Sequence, residues 1–201
     1  MQTITTPPVH SKDEHAIVRL LSDASSKQAV AIQARLQELL GQTIWLQQPP
    51  SLHITLMEII CDTQYTGKSR QQYFEEWYSA YDETVKELLG TIEPFDVVFT
   101  QLLVSERAII IRSAESETLN TIRRALLART HLPPETKMPP KITHCTLARF
   151  RAPANLETIQ RLTAGIPVHI TEHVSEFSLV RDLGPPDFNS SPMRTYALRQ
   201  G

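Results

Sequence analysis

The alternation of apolar and polar residues predicts a strand–helix–strand unit near the start of the chain. Residues 15–21 form a short apolar segment that predicts a strand. The next segment carries apolar side chains three or four residues apart, which predicts an amphipathic helix that begins after Ser22 and ends at Gly41. Two consecutive prolines follow, and then the apolar residues of segment 51–60 alternate with polar ones, as in a half-buried strand.

The same order of predicted elements recurs between residues 105 and 150. A strand is predicted at 105–113, a helix at 115–129 and, after four more prolines, a strand at 141–150. The separation from Val18 to His53 is 35 residues, and that from Ile109 to His144 is also 35. The two segments have little sequence in common, so the repeat is structural, and it predicts two matching lobes at about 15–60 and 105–150.

The remaining segments complete the predicted architecture. An aromatic-rich insert at 62–94 contains a predicted helix at 69–89. The C-terminal part has a predicted helix at 156–162 and two predicted strands, at 168–180 and 193–198. Strands mixed with helices predict an α+β fold. We expect a flexible tail at 1–14 and one bilobal, pseudo-twofold domain at 15–201, with two mostly antiparallel sheets lining a central cleft and helices outside.

Composition excludes several classes of protein. The 201 residues are 41% hydrophobic, which is enough to bury a core and excludes wholesale disorder. The formal net charge of −2 is not that of a non-specific nucleic-acid binder, although a locally basic cleft stays open. Two cysteines cannot build a disulfide framework, and neither has zinc-ligand spacing. The sequence contains neither a signal sequence nor a membrane span, so we expect a soluble, cytoplasmic protein. We also expect a monomer.

Two His-x-Thr motifs lie at matching points of the repeat. They are His53-Ile-Thr55 and His144-Cys-Thr146, and each lies in the middle of a predicted strand, just after a proline pair. Side chains two residues apart in a strand project from the same face, so each motif presents an imidazole beside a hydroxyl. If the lobes are related by a pseudo-twofold axis, the two pairs face one another across the cleft.

Two opposed imidazoles suit acid–base chemistry, because histidine titrates at about pH 6.5. One ring takes a proton from a nucleophile while the other gives a proton to the leaving group. The threonine hydroxyls can donate hydrogen bonds to the oxygens of an anion held between the rings. Phosphodiester chemistry at a ribose needs these parts and no divalent metal, so we expect neither a metal nor a cofactor.

At these residues the chain resembles the two-histidine (2H) phosphoesterase superfamily, whose members include 2′-5′ RNA ligases and cyclic phosphodiesterases. The segments Trp45-Leu-Gln-Gln-Pro-Pro-Ser-Leu-His53 and His144-Cys-Thr-Leu-Ala-Arg149 carry the resemblance, which spans about residues 15–150. It implies a metal-independent phosphoesterase with His53 and His144 as catalytic residues and Thr55 and Thr146 as phosphate ligands. Two features depart from the RNA ligase branch. Segment 57–60 lacks the Phe-Leu-Gly often found there, and the 62–94 insert is longer than the connection expected.

The resemblance implies hydrolysis of 2′,3′-cyclic phosphates on RNA ends or small nucleotides, with a 2′-phosphomonoester as product. A 2′-5′ phosphodiesterase or ligase acting on RNA is the nearest alternative. A non-catalytic module that binds RNA ends or nucleotides is an alternative of a different class. A basic track leading away from the histidines would favour RNA, whereas a small cleft with an acidic rim would favour nucleotides.

Four further features of the sequence bear on the site. Arg149 either contacts a phosphate or forms a salt bridge at the strand end, since strict alternation puts it on the face opposite to His144. Phe74 and Tyr78 are candidates for stacking on bases, against the simpler interpretation that their helix packs on the body. Cys145 is expected to be buried and not a nucleophile. A third His-x-Thr motif, at 169–171, lies outside the repeat and is interpreted as a coincidence.

Overall fold

A computed structural model describes residues 14–61, 63–114, 117–136, 138–139, 142–151, 155–182 and 190–199. The predicted tail lies outside these residues, apart from Glu14. The strands are Glu14–Leu20 (β1), Ile44–Leu46 (β2), His53–Ile60 (β3), Phe95–Val104 (β4), Ala108–Ser113 (β5), His144–Phe150 (β6), Ile170–Val174 (β7), Glu176–Asp182 (β8) and Ser190–Ala197 (β9). The helices are Asp23–Leu40 (α1), Arg70–Leu89 (α2), Glu117–Arg129 (α3) and Leu156–Thr163 (α4).

The strands form one curled antiparallel sheet with an internal pseudo-twofold arrangement. Its order is β7-β4-β5-β6-β3-β1-β8-β9, and β2 pairs with β6 outside this path. We call β3, β1, β8 and β9 the first half and β6, β5, β4 and β7 the second half. The unit β1-α1-β3 has the same order of elements as β5-α3-β6, and the predicted α+β class with its pseudo-twofold arrangement is confirmed. The two expected sheets are joined where Ile54 of β3 pairs with Cys145 of β6.

The helices cover the outer face of the sheet, and each helix of the repeated unit packs on the opposite half. Helix α1 contacts β2, β6 and β7, and it meets α4, which contacts β4. Helices α2 and α3 contact each other and β3, and α2 also reaches β9. The first half is thus covered by α2 and α3, and the second half by α1 and α4. Because α1 packs on the second half and α3 packs on the first, each half needs a helix from the other repeated unit to cover its outer face.

The helix boundaries follow from local chemistry. Ser22 caps α1 by accepting a hydrogen bond from the Ser25 backbone N–H at 3.3 Å. Gly41 ends this helix with φ 51° and ψ −126°, a conformation that favours glycine, as the sequence predicts. Ser69 and Gln72 form a reciprocal capping box at the start of α2.

Several sequence predictions about strands were wrong. Segment 168–180 is two strands, β7 and β8, which separate at Ser175 and belong to different halves. Strand β4, which pairs with both β5 and β7, was not predicted. His53 and His144 do not lie in the middle of their strands, because each is the first residue of its strand.

A buried carboxylate ties the first turn of α1 to the second half. The Glu172 side chain of β7 is 0% exposed and accepts hydrogen bonds from the Ser22 N–H at 3.0 Å and the Ser22 hydroxyl at 2.9 Å. It also pairs with the Arg19 Nε of β1 at 2.8 Å. These bonds satisfy the buried charge, so Glu172 joins elements from the two halves.

Candidate active site

Each motif histidine is oriented by a backbone carbonyl two residues before it. Residues Pro49–Ser51 form a 3-10 turn, and the Ser51 carbonyl oxygen lies 2.7 Å from the Nδ1 of His53. The Nδ1 of His144 lies 3.3 Å from the Ile142 carbonyl oxygen. A carbonyl oxygen only accepts, so Nδ1 carries the hydrogen and the lone pair of each neutral ring is on Nε2. Both rings thus have the tautomer that a general base acting through Nε2 requires.

The register between β3 and β6 brings the two motifs together. Ile54 and Cys145 are paired and fully buried, so the flanking motif residues lie on the other, concave face of the sheet. Antiparallel pairing around this point sets His53 opposite Thr146 and Thr55 opposite His144. The two histidines are then diagonal neighbours, roughly 7–8 Å apart. All four side chains are half-buried.

A β-bulge follows each motif and changes which residues face the cleft. Leu56 is an extra residue in β3, between the pairs that Thr55 and Met57 make with β1. Leu147 is the matching extra residue in β6. Each bulge reverses the alternation, so Glu58 and Arg149 return to the concave face. The prediction that Arg149 lies on the face opposite to His144, which assumes strict alternation, is therefore wrong.

Further arginines lie on the concave face of the second half. Arg112 of β5 is directly opposite His144, and Arg149 is opposite Trp45 of β2. The Arg151 guanidinium lies over the Trp45 ring, 5.3 Å from its centroid. No carboxylate within the described parts of the chain forms an ion pair with Arg112 or Arg149. The predicted salt bridge of Arg149 is absent among those residues, and both guanidinium groups can meet an anion.

Beneath the concave face, each bulge is held by a buried polar side chain from the helix that covers it. Arg123 of α3 is 4% exposed, and it donates from Nη2 to the Thr55 carbonyl at 2.8 Å and from Nε to the Leu56 carbonyl at 3.2 Å. Gln33 of α1 is 3% exposed, and its Nε2 donates to the Leu147 carbonyl at 2.8 Å. Bulges leave backbone groups outside the regular ladder, and these side chains satisfy them.

The environment of His144 favours its neutral form. Burial lowers the pKa of His144, while the bond to the Ile142 carbonyl acts in the opposite direction. The nearby positive charges of Arg123 and Arg149, and of His53 when it is protonated, lower this pKa further. A histidine that is neutral near pH 7 can accept a proton.

Other candidates from the sequence lie away from the cleft. Phe74 is 3% exposed and stacks on His15 with the ring centroids 3.7 Å apart, so its prediction as a base-stacking residue was wrong. Tyr78 packs beside Phe74 on α2, outside the concave face. Burial raises the pKa of the Cys145 thiol to about 12, as expected for a thiol that is not a nucleophile. The third motif, at 169–171, is at the terminal strand β7, away from the other two.

Four residues at or beneath the site were missed by the sequence analysis. Arg123 and Gln33 interrupt the apolar stripes of their helices, a signal that could have marked them as buried polar groups. Arg112 interrupts the apolar run of β5 in the same way. Glu58 was noticed only as part of a departure from the RNA ligase branch, because no sequence signal indicates the bulge that turns it to the cleft.

Comparison with known families identifies the family to which this chain belongs. The family model described as the 2′-5′ RNA ligase superfamily matches residues 52–185, which include both His-x-Thr motifs. The chain belongs to the 2′-5′ RNA ligase superfamily, within the 2H phosphoesterases. The superfamily includes ligases and cyclic phosphodiesterases, which supports an enzyme as the type of protein.

Solved structures related to this superfamily have the same fold. The structure of TT0787 from Thermus thermophilus matches with a TM-score of 0.67 and 19% identity over 92% of this chain and 98% of that one. E. coli LigT in its apo form matches with a TM-score of 0.59 and 16% identity over 94% and 98%. The MHV ns2 PDE domain matches with a TM-score of 0.51 and 19% identity over 85% and 99%. LigT has also been solved with phosphate and with 3′-AMP.

Three further observations are negative. No curated protein matches the chain in sequence. In the described part of the structure, no group of three or more His, Cys, Asp or Glu side chains could hold a metal ion. Among the same residues, no helix is both long enough and apolar enough to span a membrane.

Proposed function

We propose that the protein is a phosphodiesterase that hydrolyses 2′,3′-cyclic phosphate ends of RNA without a metal, leaving a 2′-phosphomonoester. The observation that carries this proposal is the pairing of Ile54 with Cys145, which places the two motif histidines diagonally on adjacent strands, each with its Nδ1 at a backbone carbonyl. Membership in a superfamily that includes cyclic phosphodiesterases supports the same reaction.

In the proposed reaction one imidazole removes a proton from water as the water oxygen bonds to phosphorus. The bond between phosphorus and the ribose 3′ oxygen breaks, and the other imidazole gives its Nε2 proton to that oxygen. The hydroxyls of Thr55 and Thr146 donate to the non-bridging oxygens, whose negative charge grows in the transition state. The Arg149 guanidinium faces the same space and supplies a positive charge for the phosphoryl group.

The charges on the concave face support an RNA strand as the substrate rather than a mononucleotide. Arg112, Arg149 and Arg151 extend from the reaction centre over the second half, and Trp45 provides an aromatic face beside them. Arginines bind phosphates, and an aromatic ring can stack on an unpaired base. The first half presents Glu58 at the matched position, so we propose that the strand follows the second half.

Turnover in excess EDTA tests the reaction. The wild type should hydrolyse a short RNA with a 2′,3′-cyclic end, and His53→Ala and His144→Ala should each reduce kcat by about 10² or more. His169→Ala is the matched control, since this exposed histidine precedes a threonine in the same pattern but lies at the terminal strand. Chromatography of 2′- and 3′-phosphate products identifies the bond that breaks. Equal loss in all three variants would contradict the proposal.

A comparison of substrates tests the RNA assignment. The cyclic-ended RNA should have a higher kcat/KM than a 2′,3′-cyclic nucleotide, with an advantage that shrinks as salt is raised. Arg112→Ala and Arg151→Ala should reduce turnover of the RNA more than that of the nucleotide. Arg107→Ala, in the exposed turn between β4 and β5, is the control. A nucleotide preference that is independent of salt would contradict an RNA substrate.

A second candidate is cleavage or ligation of 2′-5′ linkages in RNA, which the description of the matching family model favours. Turnover of a 2′-5′-linked oligonucleotide, with none of the cyclic end, would select it. Binding of both ligands with no turnover of either would instead indicate a non-catalytic module.

A further inference from the structure

A small aromatic pocket lies between helix α2 and the segment that follows α3, among the elements that cover the outer face of the sheet. Tyr73, Trp77 and Tyr81 line one wall at intervals of four residues along α2, and His131 lines the opposite wall. The carboxylate of Glu76 lies among them, and the pocket has a volume of about 270 Å³. The proposed reaction on the concave face uses none of these residues.

Hydrogen bonds and ring contacts hold the two walls together. The Tyr81 hydroxyl lies 3.1 Å from the Nδ1 of His131, and their stacked rings have centroids 6.2 Å apart. The Tyr73 hydroxyl donates to the Thr66 carbonyl at 2.8 Å. Thr66 in turn donates to the Glu135 carboxylate from its N–H at 3.1 Å and from its hydroxyl at 2.7 Å. The pocket is therefore formed before any ligand arrives, which lowers the cost of binding.

Aromatic rings together with one carboxylate favour a positively charged organic ligand. The face of an aromatic ring carries negative charge and attracts a cation within about 6 Å of its centroid. The Glu76 carboxylate adds a full negative charge at the same place. Among the residues that the structure describes, no lysine or arginine lines the pocket, so it is poorly suited to a phosphate or another anion.

Lys68 shows that one wall of the pocket attracts an ammonium group. Its Nζ lies 5.7 Å from the centroid of the Tyr73 ring and 2.6 Å from each carboxylate oxygen of Glu76. The side chains of Lys68 and Glu76 are 46% and 58% exposed. An ion pair this exposed contributes little to stability, so a cation from solution can compete with Lys68 for the carboxylate.

We propose that this pocket binds an organic ammonium ion, either a free quaternary ammonium compound or a methylated lysine side chain of another protein. The ammonium group lies against the rings of Tyr73 and Tyr81, with Trp77 between them, and replaces Lys68 at Glu76. The volume is just below the roughly 300–1,000 Å³ of pockets for drug-sized ligands, and it suits a trimethylammonium group rather than a nucleotide. The site is independent of the proposed phosphodiesterase reaction.

NMR of the two tryptophan indole N–H groups tests binding in the whole protein. Trp77 lines the pocket, whereas Trp45 lies beside the arginines of the concave face. Choline chloride, added at constant ionic strength, should shift the Trp77 resonance along a saturating curve and leave that of Trp45 in place. The neutral isostere 3,3-dimethyl-1-butanol should bind at least about tenfold more weakly, because it has the same shape without the charge.

Substitutions on α2 test the aromatic wall. Tyr73→Leu and Tyr81→Leu should each raise the Kd of choline about two- to fivefold, because each removes one cation–π contact. Tyr78→Leu is the matched control, since Tyr78 lies on the same helix but packs beside Phe74, away from the pocket. Its Kd should equal that of the wild type.

Lys68→Met gives a result that a merely structural role of these residues would not produce. It removes the competing ammonium group, so choline should bind about two- to fivefold more tightly. Lys86→Met is the matched control, because Lys86 forms a similarly exposed ion pair with Glu83 on the same helix. It should leave the Kd unchanged. Lys68 is exposed, so this variant decides the question if a tyrosine variant does not fold.

Three results would overturn the proposal. They are equal binding of choline and its neutral isostere, no shift of Trp77 up to about 100 mM choline, and weaker binding of choline by Lys68→Met. A peptide with one trimethyllysine, compared with the same peptide with norleucine there, identifies the source of the cation. Tighter binding of the trimethyllysine peptide than of choline assigns a protein side chain, and the reverse assigns a free cation.

Inorganic phosphate, added to a separate sample, tests the concave face. Phosphate should shift the Trp45 resonance and not that of Trp77, because the arginines lie beside Trp45. A failure of the ammonium site thus leaves the phosphate result intact, and a failure of the proposed phosphodiesterase leaves the choline result intact.

Discussion

At the scale of single residues, the threonine hydroxyls of the two motifs are the simplest groups to test. Replacing Thr55 or Thr146 by Val keeps the shape of the side chain and removes one donor to a charged phosphoryl oxygen. A hydrogen bond to a charged group contributes about 1.5–3 kcal/mol, so kcat should fall about 10- to 100-fold in each variant. Steady-state kinetics and the Tm measure this, and Thr171→Val in the third motif is the control. Unchanged kcat in both variants would show that the hydroxyls do not bind the phosphoryl group.

The cysteine between His144 and Thr146 should be chemically silent. Burial raises the pKa of the Cys145 thiol to about 12, and the side chain is 0% exposed. Only the thiolate reacts with alkylating agents, so iodoacetamide at pH 8 should leave Cys145 unmodified in the native protein and label it after denaturation. Mass spectrometry of the peptide distinguishes the two states. Rapid labelling of Cys145 in the native protein, in parallel with a loss of turnover, would contradict the buried position of this thiol on the face of the sheet opposite to the histidines.

Residue identities at the site could be predicted where a short motif carries them. His53, Thr55, His144 and Thr146 stand out because two identical patterns occur at equivalent points of a repeat. The face of Arg149 could not be predicted, since a one-residue bulge reverses it and leaves no mark in the local sequence. Phe74 was misjudged because only tertiary contact with His15 shows which side of α2 is buried.

At the scale of elements, the capping box of α2 should be worth a measurable part of the stability. Ser69→Ala removes the acceptor for the Gln72 N–H and should lower the free energy of unfolding by about 1 kcal/mol. Urea denaturation followed by circular dichroism measures the change. Ser79→Ala is the control, because Ser79 is exposed in the middle of the same helix and alanine favours helix there. A larger loss at Ser79 than at Ser69 would contradict a stabilising cap.

Helices could be predicted more completely than strands, for a physical reason. The start of α1 at Ser22 and its end at Gly41 are determined by local hydrogen bonds and backbone conformation. Strands depend on distant partners. Segment 168–180 looks like one strand until pairing with β4 and β1 divides it, and β4 acquires its identity from β5 and β7 on either side.

At the scale of the whole molecule, the buried Glu172 should contribute strongly to the free energy of unfolding, although its strand, β7, is the terminal strand of the sheet. Glu172→Gln leaves the Arg19 charge without its buried partner and should lower the free energy of unfolding by about 3 kcal/mol. Glu176→Gln is the matched control, since Glu176 pairs with the same arginine at 3.3 Å but is 48% exposed. Its loss should stay below about 1 kcal/mol. Similar losses in the two variants would show that burial does not set the contribution.

Exchange of the covering helices predicts that the two halves unfold together. Trp77 lies on α2, over the first half, and Trp45 lies on β2, beside the second. Removing one half would expose the apolar face of a helix from the other, so neither half is stable by itself. Urea transitions of Trp45→Phe and Trp77→Phe, followed by fluorescence of the remaining tryptophan, should superimpose after correction for stability. Two separate midpoints in the wild type would contradict this coupling.

The pairing of Ile54 with Cys145 also has a consequence for the kinetics of the proposed reaction. Two catalytic groups on separate domains meet only when a hinge closes, and the rate of opening then often limits turnover. Here the imidazoles are carried by adjacent strands of one hydrogen-bonded ladder, so their separation is set before substrate arrives. Such a site gains its rate from preorganisation, without a closing step. A rigid mimic of the pentavalent phosphorus should therefore bind in a single kinetic step, at a rate governed by diffusion and by the charge of the arginine-lined face.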